Sequence, residues 1–273
     1  MRSFTRGIIQ WRIISGRFAS GRARDDAWGH LMLAVTIDID WAPDVIVDAV
    51  VGLFDDARVP LTLFCTDHST DISGKSSVLS SRYHSRHEIG IHPNFASSPD
   101  PGSVYRNLLM QYPEARGFRS HNGYGSWPIS ETAIRNGLSY QVECTVFPVD
   151  VPPFKLVETE NYYVFTTRFM DSRKLNAGEF GWSLAEAGLT SAVSDPDLLF
   201  IMTFHPNIVF YDMIGVDEYA TRKRTYHEPV EKDSFLHNAP RGPVKLIREL
   251  CAAVDLRCFV TINHYGRSQR LWA

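Results

Sequence analysis

The sequence predicts one α/β domain whose parallel strands close into a barrel. Short apolar runs alternate with amphipathic helical segments along most of the chain, and several of those runs end in Asp, His or Arg. A length of 273 residues with 44% hydrophobic content can bury a full core, and a single barrel or doubly wound domain would use nearly all of it. Seven or eight β-like segments favour a barrel, complete or lacking a unit, over an open sheet.

The elements follow in order. Residues 1–30 form a basic extension, with Arg2, Arg6, Arg12, Arg17, Arg22 and Arg24 and no acid before Asp25. Their apolar stretches are too short for a secretory signal, and an added amphipathic helix fits better than an organellar presequence. The barrel domain is expected over 31–273. LMLAVTID (31–38) is a continuous apolar run suited to a buried parallel strand, and DVIVDAVVGLFDDARV (44–59) has helical spacing, with Pro43 in its entry turn and Asp44 at or near its N-cap. PLTLFCT (60–66) completes a βαβ unit, so the sheet is parallel and the crossover right-handed. A Ser-rich connection (69–86) leads to strand EIGIHP, helix SVYRNLLMQY, strand ARGFRS, helix ISETAIRNGL and strand QVECTVF. Residues 147–198 are expected to be irregular. DLLFIMTFHP reads as a strand, GPVKLIRELCAAV as a helix and RCFVTINHYG as a last strand.

Composition excludes some partners. A formal charge of -3 and a pI near 6.4 leave no global positive field for nucleic acid or an anionic membrane. No apolar run approaches the ~20 residues of a bilayer span. Cys65, Cys144, Cys251 and Cys258 are scattered with no CxxC pair; reduced thiols, and hence a cytoplasmic location, are expected. Small molecules or glycans are the expected partners.

The strand ends carry the chemistry. In a parallel barrel they meet on one face, so distant residues can share a pocket. Asp38 and Asp40 are two apart and project to the same side of an extended strand, where a carboxylate pair needs a cation, a proton or an arginine. That suggests a metal site or a general base. His92 ends its strand on the reactive face, whereas His87 begins it and suits a structural role at the opposite end. Arg119 and His121 repeat the two-residue spacing among Gly117, Gly123 and Gly125, so Arg119 can hold Asp38 by a bidentate contact while His121 completes a metal shell or borders the pocket. His205, after FIMTF, suits a general acid. Asp67, His68, Asn263 and His264 also follow strands and can line the pocket, and Trp41 and Trp182 can stack on a sugar ring or serve the core.

TIDIDW, VPLTLF, HEIGIHPN, GFRSHNG and MTFHPN, in that order, resemble the motif series of the polysaccharide deacetylases of NodB-homology type, carbohydrate esterase family 4. HEIGIHPNF and FRSH are closer to the WbmS-like branch encoded with O-antigen biosynthesis genes. The resemblance spans about residues 31–264. It implies a distorted (β/α)7 barrel holding one divalent metal, commonly zinc, that removes an acetyl group from an N-acetylated sugar in surface polysaccharide synthesis. Asp38 is similar to the family's catalytic base, Asp40 to its metal-binding aspartate, Arg119 to the arginine that positions the base and His205 to the catalytic acid; Asp171 stands loosely where an acidic partner tunes that acid.

Two departures bear on the metal. The family usually places a second histidine ligand four residues after the first, which is His92, and Ala96 stands there. The third motif usually has proline where His121 stands. His121 is therefore expected to replace the lost ligand, with Asn94, Asp67 or His68 as fallback donors. Two other readings remain: a catalytically degenerate glycan-binding or scaffold protein on the same barrel, for which Ala96 is the best support, and a hydrolase of a different amide such as a cyclic ureide.

Overall fold

A computed structural model describes residues 31–67, 83–98, 100–146, 152–158, 160–177, 181–192, 199–225 and 240–272. The basic extension and most of the Ser-rich connection, with His68, lie outside them. Among the described residues nine strands form one mixed sheet: β1 (Met32–Asp40), β2 (Leu61–Cys65), β3 (Glu88–Ile91), β4 (Gly117–Phe118), β5 (Tyr140–Val146), β6 (Phe154–Lys155), β7 (Tyr163–Thr167), β8 (Phe169–Met170) and β9 (Leu199–Phe204). All pairings are parallel except that of β6 with β7.

The sheet closes on itself. Only Arg168 separates β7 from β8; β7 pairs with β5, whereas β8 pairs with β9 on the far side of β1, and the Arg168 N–H donates to Ile201 O at 3.0 Å. Counted as one strand, Tyr163–Met170 completes a ring of seven parallel strands, the distorted (β/α)7 barrel that the sequence implies. The closing strand falls in the stretch expected to be irregular, and no crossover helix precedes it among the described residues after β5.

Helices α1 (Asp44–Asp56), α2 (Pro101–Gln111) and α3 (Trp127–Arg135) make the first crossovers. Pro43 is the N-cap of α1, with Asp44 in the first turn and no side-chain cap bond. Short helices α4 (Asp171–Asn176) and α5 (Leu189–Ala192) precede β9, and α6 (Pro206–Phe210), α7 (Val216–Arg222) and α8 (Pro243–Ala253) follow it. No helix among the described residues is long and apolar enough to cross a membrane.

Strand alternation sorts the interior. Leu33, Val35, Ile37 and Ile39 of β1 face the helices, joining Val47, Phe54 and Leu250 in the larger core. Ala34, Thr36 and Asp38 face the barrel lumen, and β9 repeats the order with Leu199 and Ile201 below Thr203. The lumen is thus apolar at its floor and polar at its mouth.

RCFVTINHYG is not a strand. Leu256–Cys258 is a 3-10 turn, Phe259 makes a single bridge to Leu33, and α9 (Ile262–Ser268) follows. This segment plugs the floor: Ile262, Tyr265 and Trp272 pack with Phe64, Tyr140 and Phe165, with Trp272 stacked on Tyr140 at 5.5 Å. Gly117 makes room for that layer, because a Cβ there would lie 2.1 Å from the Tyr140 ring. A short apolar run cannot by itself distinguish a strand from a helix–turn plug, which is why the segment reads as a strand.

Candidate metal centre and proton-transfer pair

At the C-terminal ends of the strands a cleft of about 630 Å³ is lined by Asp38, Asp40, Trp41, His92, His121 and His205 from the barrel and by residues of α4 and α7 from one wall. It thus contains five of the six residues singled out for metal binding or proton transfer, and the sixth, Arg119, lies just beneath.

Asp40 reaches the cleft by a bulge. The β1–β2 register shifts between Asp38 and Asp40, and Asp40 adopts φ 49°, the left-handed region uncommon for residues with a side chain. Plain alternation along an extended strand therefore does not describe it. Its carboxylate oxygen Oδ1 lies 3.2 Å from His92 Nε2 and 3.1 Å from His121 Nδ1, and the two ring nitrogens are 3.3 Å apart. Burial opposes the charge on Asp40, but the hydrogen bonds from His121 and His92 outweigh it and hold its carboxyl well below the usual carboxylate range.

The orientation of each histidine has a cause. His92 is 3% exposed, and its Nδ1 donates to Arg119 O at 2.7 Å; that bond aims Nε2 at Asp40. His121 sits in the 3-10 turn His121–Gly123, whose N–H donates to Pro93 O at 3.0 Å and whose next residue, Asn122, has φ 56°. Trp41 meets its ring edge-on at 4.9 Å. One atom each from Asp40, His92 and His121 lies within 4.8 Å of the others, a carboxylate and two imidazoles converging on one volume. Such lone pairs repel unless a proton or a cation lies among them, and one carboxylate with two imidazoles is a donor set suited to a divalent transition metal.

The two fallback donors among the described residues, Asn94 and Asp67, stay out of this group. Asn94 accepts from the Ala96 N–H at 3.1 Å as an N-cap, with Ala96 itself exposed, and Asp67 accepts from Gln111 Nε2 at 3.1 Å.

Asp38 is 2% exposed and lies between two cations. Arg119, fully buried, donates Nη1 to Asp38 Oδ1 and to Thr36 Oγ1, both at 2.8 Å, and Nη2 to Thr167 Oγ1 at 3.0 Å. The expected bidentate contact is therefore a single one, because the second guanidinium nitrogen is taken by Thr167. Its guanidinium also lies over the Phe64 ring at 4.9 Å. Thr36 opens TIDIDW without any sign there of this role, and Thr167 carries no motif; threonine in a strand is ordinary.

His205 follows β9. Its Nδ1 lies 2.6 Å from Asp171 Oδ1, its backbone N–H donates to Asp171 Oδ2 at 2.7 Å, and its Nε2 lies 3.8 Å from Asp38 Oδ2. Burial disfavours the imidazolium, yet the adjoining Asp171 carboxylate prevails and the His205 pKa is pushed up to about 10. The ring holds its proton at neutral pH.

Other candidates lie elsewhere. His87 is at the floor, with Nδ1 accepting from the Leu61 N–H at 3.2 Å. Asn263 is there too, its N–H donating to Glu88 Oε2 at 2.9 Å, so Asn263 and the adjacent His264 do not line the pocket as expected. Trp182, 1% exposed, packs on Phe169 in the outer core rather than in the cleft. Of the two tryptophans, Trp41 lines the cleft.

The family model WbmS-like polysaccharide deacetylase matches residues 35–223. No curated protein matches the chain. A Bordetella bronchiseptica structure, described as a polysaccharide deacetylase involved in O-antigen biosynthesis, is similar at 20% identity with a TM-score of 0.67, covering 82% of this chain and 90% of that one. A Mycobacterium smegmatis structure described as a polysaccharide deacetylase is similar at 16% identity with a TM-score of 0.55, covering 93% of this chain and 96% of that one. At these identities the two structures speak for the fold.

Proposed function

The chain belongs to the WbmS-like polysaccharide deacetylase family, and from that premise we propose that it is a metal-dependent deacetylase that removes an N-acetyl group from a sugar of a surface glycan such as O-antigen. The observation that carries the reading is the meeting of Asp40, His92 and His121 beside the Asp38–His205 pair. Asp40 Oδ1, His92 Nε2 and His121 Nδ1 are the atoms that would hold one divalent ion, zinc being the expected metal, with His121 in place of the ligand that Ala96 cannot supply. When bound, that ion supplies a Lewis acid to polarise the acetyl carbonyl and to acidify water.

The residues divide the proton work. Asp38, held through Oδ1 by Arg119, accepts the proton of the attacking water through its other oxygen Oδ2, while Arg119, clamped by Thr36 and Thr167, fixes the carboxylate's position. His205 carries its proton on Nε2 into the cleft, with Nδ1–H tied to Asp171, and delivers it to the departing sugar amine. Trp41 offers the sugar ring an aromatic wall.

The test is release of acetate and free amine from N-acetylated sugars by purified protein, before and after chelation and with zinc restored. Turnover that falls on chelation and returns with metal supports the proposal; sugar binding without turnover at any metal supports the alternative reading of a non-catalytic binder, for which Ala96 speaks.

A further inference from the structure

We propose that Thr167 is a positioning residue for the proton-accepting carboxylate: by taking one N–H of Arg119 it keeps the guanidinium off Oδ2 of Asp38, the oxygen beside His205. The inference rests on the deacetylase reading for the proton step and on the geometry around Arg119 for its content.

An arginine and a carboxylate commonly form two parallel bonds, one to each oxygen. Arg119 and Asp38 form one. Nη1 reaches Asp38 Oδ1 at 2.8 Å, whereas Nη2 is turned to Thr167 Oγ1 at 3.0 Å. The guanidinium is thus shared between two strands: Asp38 and Thr36 of β1 hold Nη1, and Thr167, the last residue of β7, holds Nη2.

The hydroxyl proton of Thr167 is already committed. Its Oγ1 donates to Glu143 O at 2.8 Å on the neighbouring strand β5, so what it offers the guanidinium is a lone pair, and an N–H is the partner that fits. Thr167 and Arg119 are fully buried and Asp38 nearly so, which means that an N–H deprived of its acceptor here carries a desolvation cost and is driven to another oxygen. The carboxylate already bound by Nη1 offers one. With both oxygens gripped, the one that receives the proton would be occupied. The single bond lets Oδ1 anchor the group while Oδ2 reacts.

Thr167→Val keeps the shape of the side chain and removes its acceptor. On an N-acetylated sugar that the wild type hydrolyses, kcat should fall at least about tenfold while KM and zinc affinity stay within about twofold. Thr167→Ser, which restores the hydroxyl, should return kcat to within about threefold of the wild type. A crystal structure of Thr167→Val should show Nη1 and Nη2 of Arg119 bonded to the two oxygens of Asp38. Unchanged kcat in Thr167→Val, a loss carried by KM or zinc affinity instead, a serine variant as slow as the valine one, or an Arg119 that still holds Asp38 through one nitrogen overturns the inference. Should the valine variant fail to fold, Thr167→Cys takes its place with the same expectations, because a thiol is a weak acceptor that buried sites tolerate. If the wild type hydrolyses no N-acetylated sugar at all, the deacetylase reading fails and the crystal structure alone decides the hold of Thr167 on the guanidinium: two bonds to Asp38 in the variant uphold it, and one overturns it.

Discussion

The mouth and the floor of the barrel each hold a partly buried carboxylate, and the two behave in opposite ways. At the floor, burial dominates Glu88 and raises its pKa, although Thr62 Oγ1, Tyr140 Oη and the backbone of Asn263 all donate to it. At the mouth, Asp40 is partly buried too, yet two histidines hold it far below the ordinary range. The neutral donors to Glu88 favour its charged form but do not offset its burial, whereas the histidines around Asp40 do. The floor is accordingly a structural lock, with Trp272 and Tyr140 stacked above it, and the mouth is a site arranged around charge.

The sharpest way to separate the two regions is to remove one group from each. Asp38→Asn at the mouth should lower turnover by a factor on the order of 10² to 10⁴, the usual contribution of a general base, while leaving the melting temperature and metal content near those of the wild type. Steady-state kinetics with metal analysis decides this; full activity in the variant would remove Asp38 from the proposed role. Trp272→Ala at the floor should do the reverse. Loss of a nearly buried aromatic from the lumen costs about 3–5 kcal/mol, seen in denaturant unfolding, with metal affinity per folded molecule retained.

Asp171→Asn sharpens the account of the mouth. The His205 pKa stands near 10 chiefly because the Asp171 carboxylate overcomes burial, so the amide should let it fall and move the alkaline limb of kcat to lower pH. The stability that this pair contributes is fully present below the ordinary histidine value of 6.5 and is lost as pH rises through about 10. The smallest effect belongs to Glu88→Gln. Because the folded pKa of Glu88 is raised, its contribution is present below the unfolded value of 4.5 and is lost as pH rises through the folded one. The stability of the wild type relative to Glu88→Gln should therefore improve on acidification toward 4.5, in unfolding curves taken across that range.

Much of the mouth was legible in the sequence, because barrel strands end together and a residue of distinctive chemistry after an apolar run marks such an end. Asp38, Asp40, His92, His121 and His205 all line one cleft for that reason. Three features were hidden. Among the described residues no helix lies between β5 and the closing strand Tyr163–Met170, so the βα rhythm gives no cue. The floor plug looks like a strand because Phe259 and Val260 extend an apolar run that only the packing of Trp272 explains. The clamp on Arg119 depends on Thr36 and Thr167, residues whose presence in strands needs no special reason, and it converts an anticipated two-bond contact with Asp38 into one.

Zinc titration of apoprotein, read by calorimetry for wild type and His121→Ala side by side, tests the central claim most directly. The account predicts about one equivalent bound to the wild type and affinity at least tenfold weaker in the variant, since one of three protein ligands is gone. Equal affinity in the two proteins, or no zinc bound by the wild type, would contradict a metal held jointly by Asp40, His92 and His121.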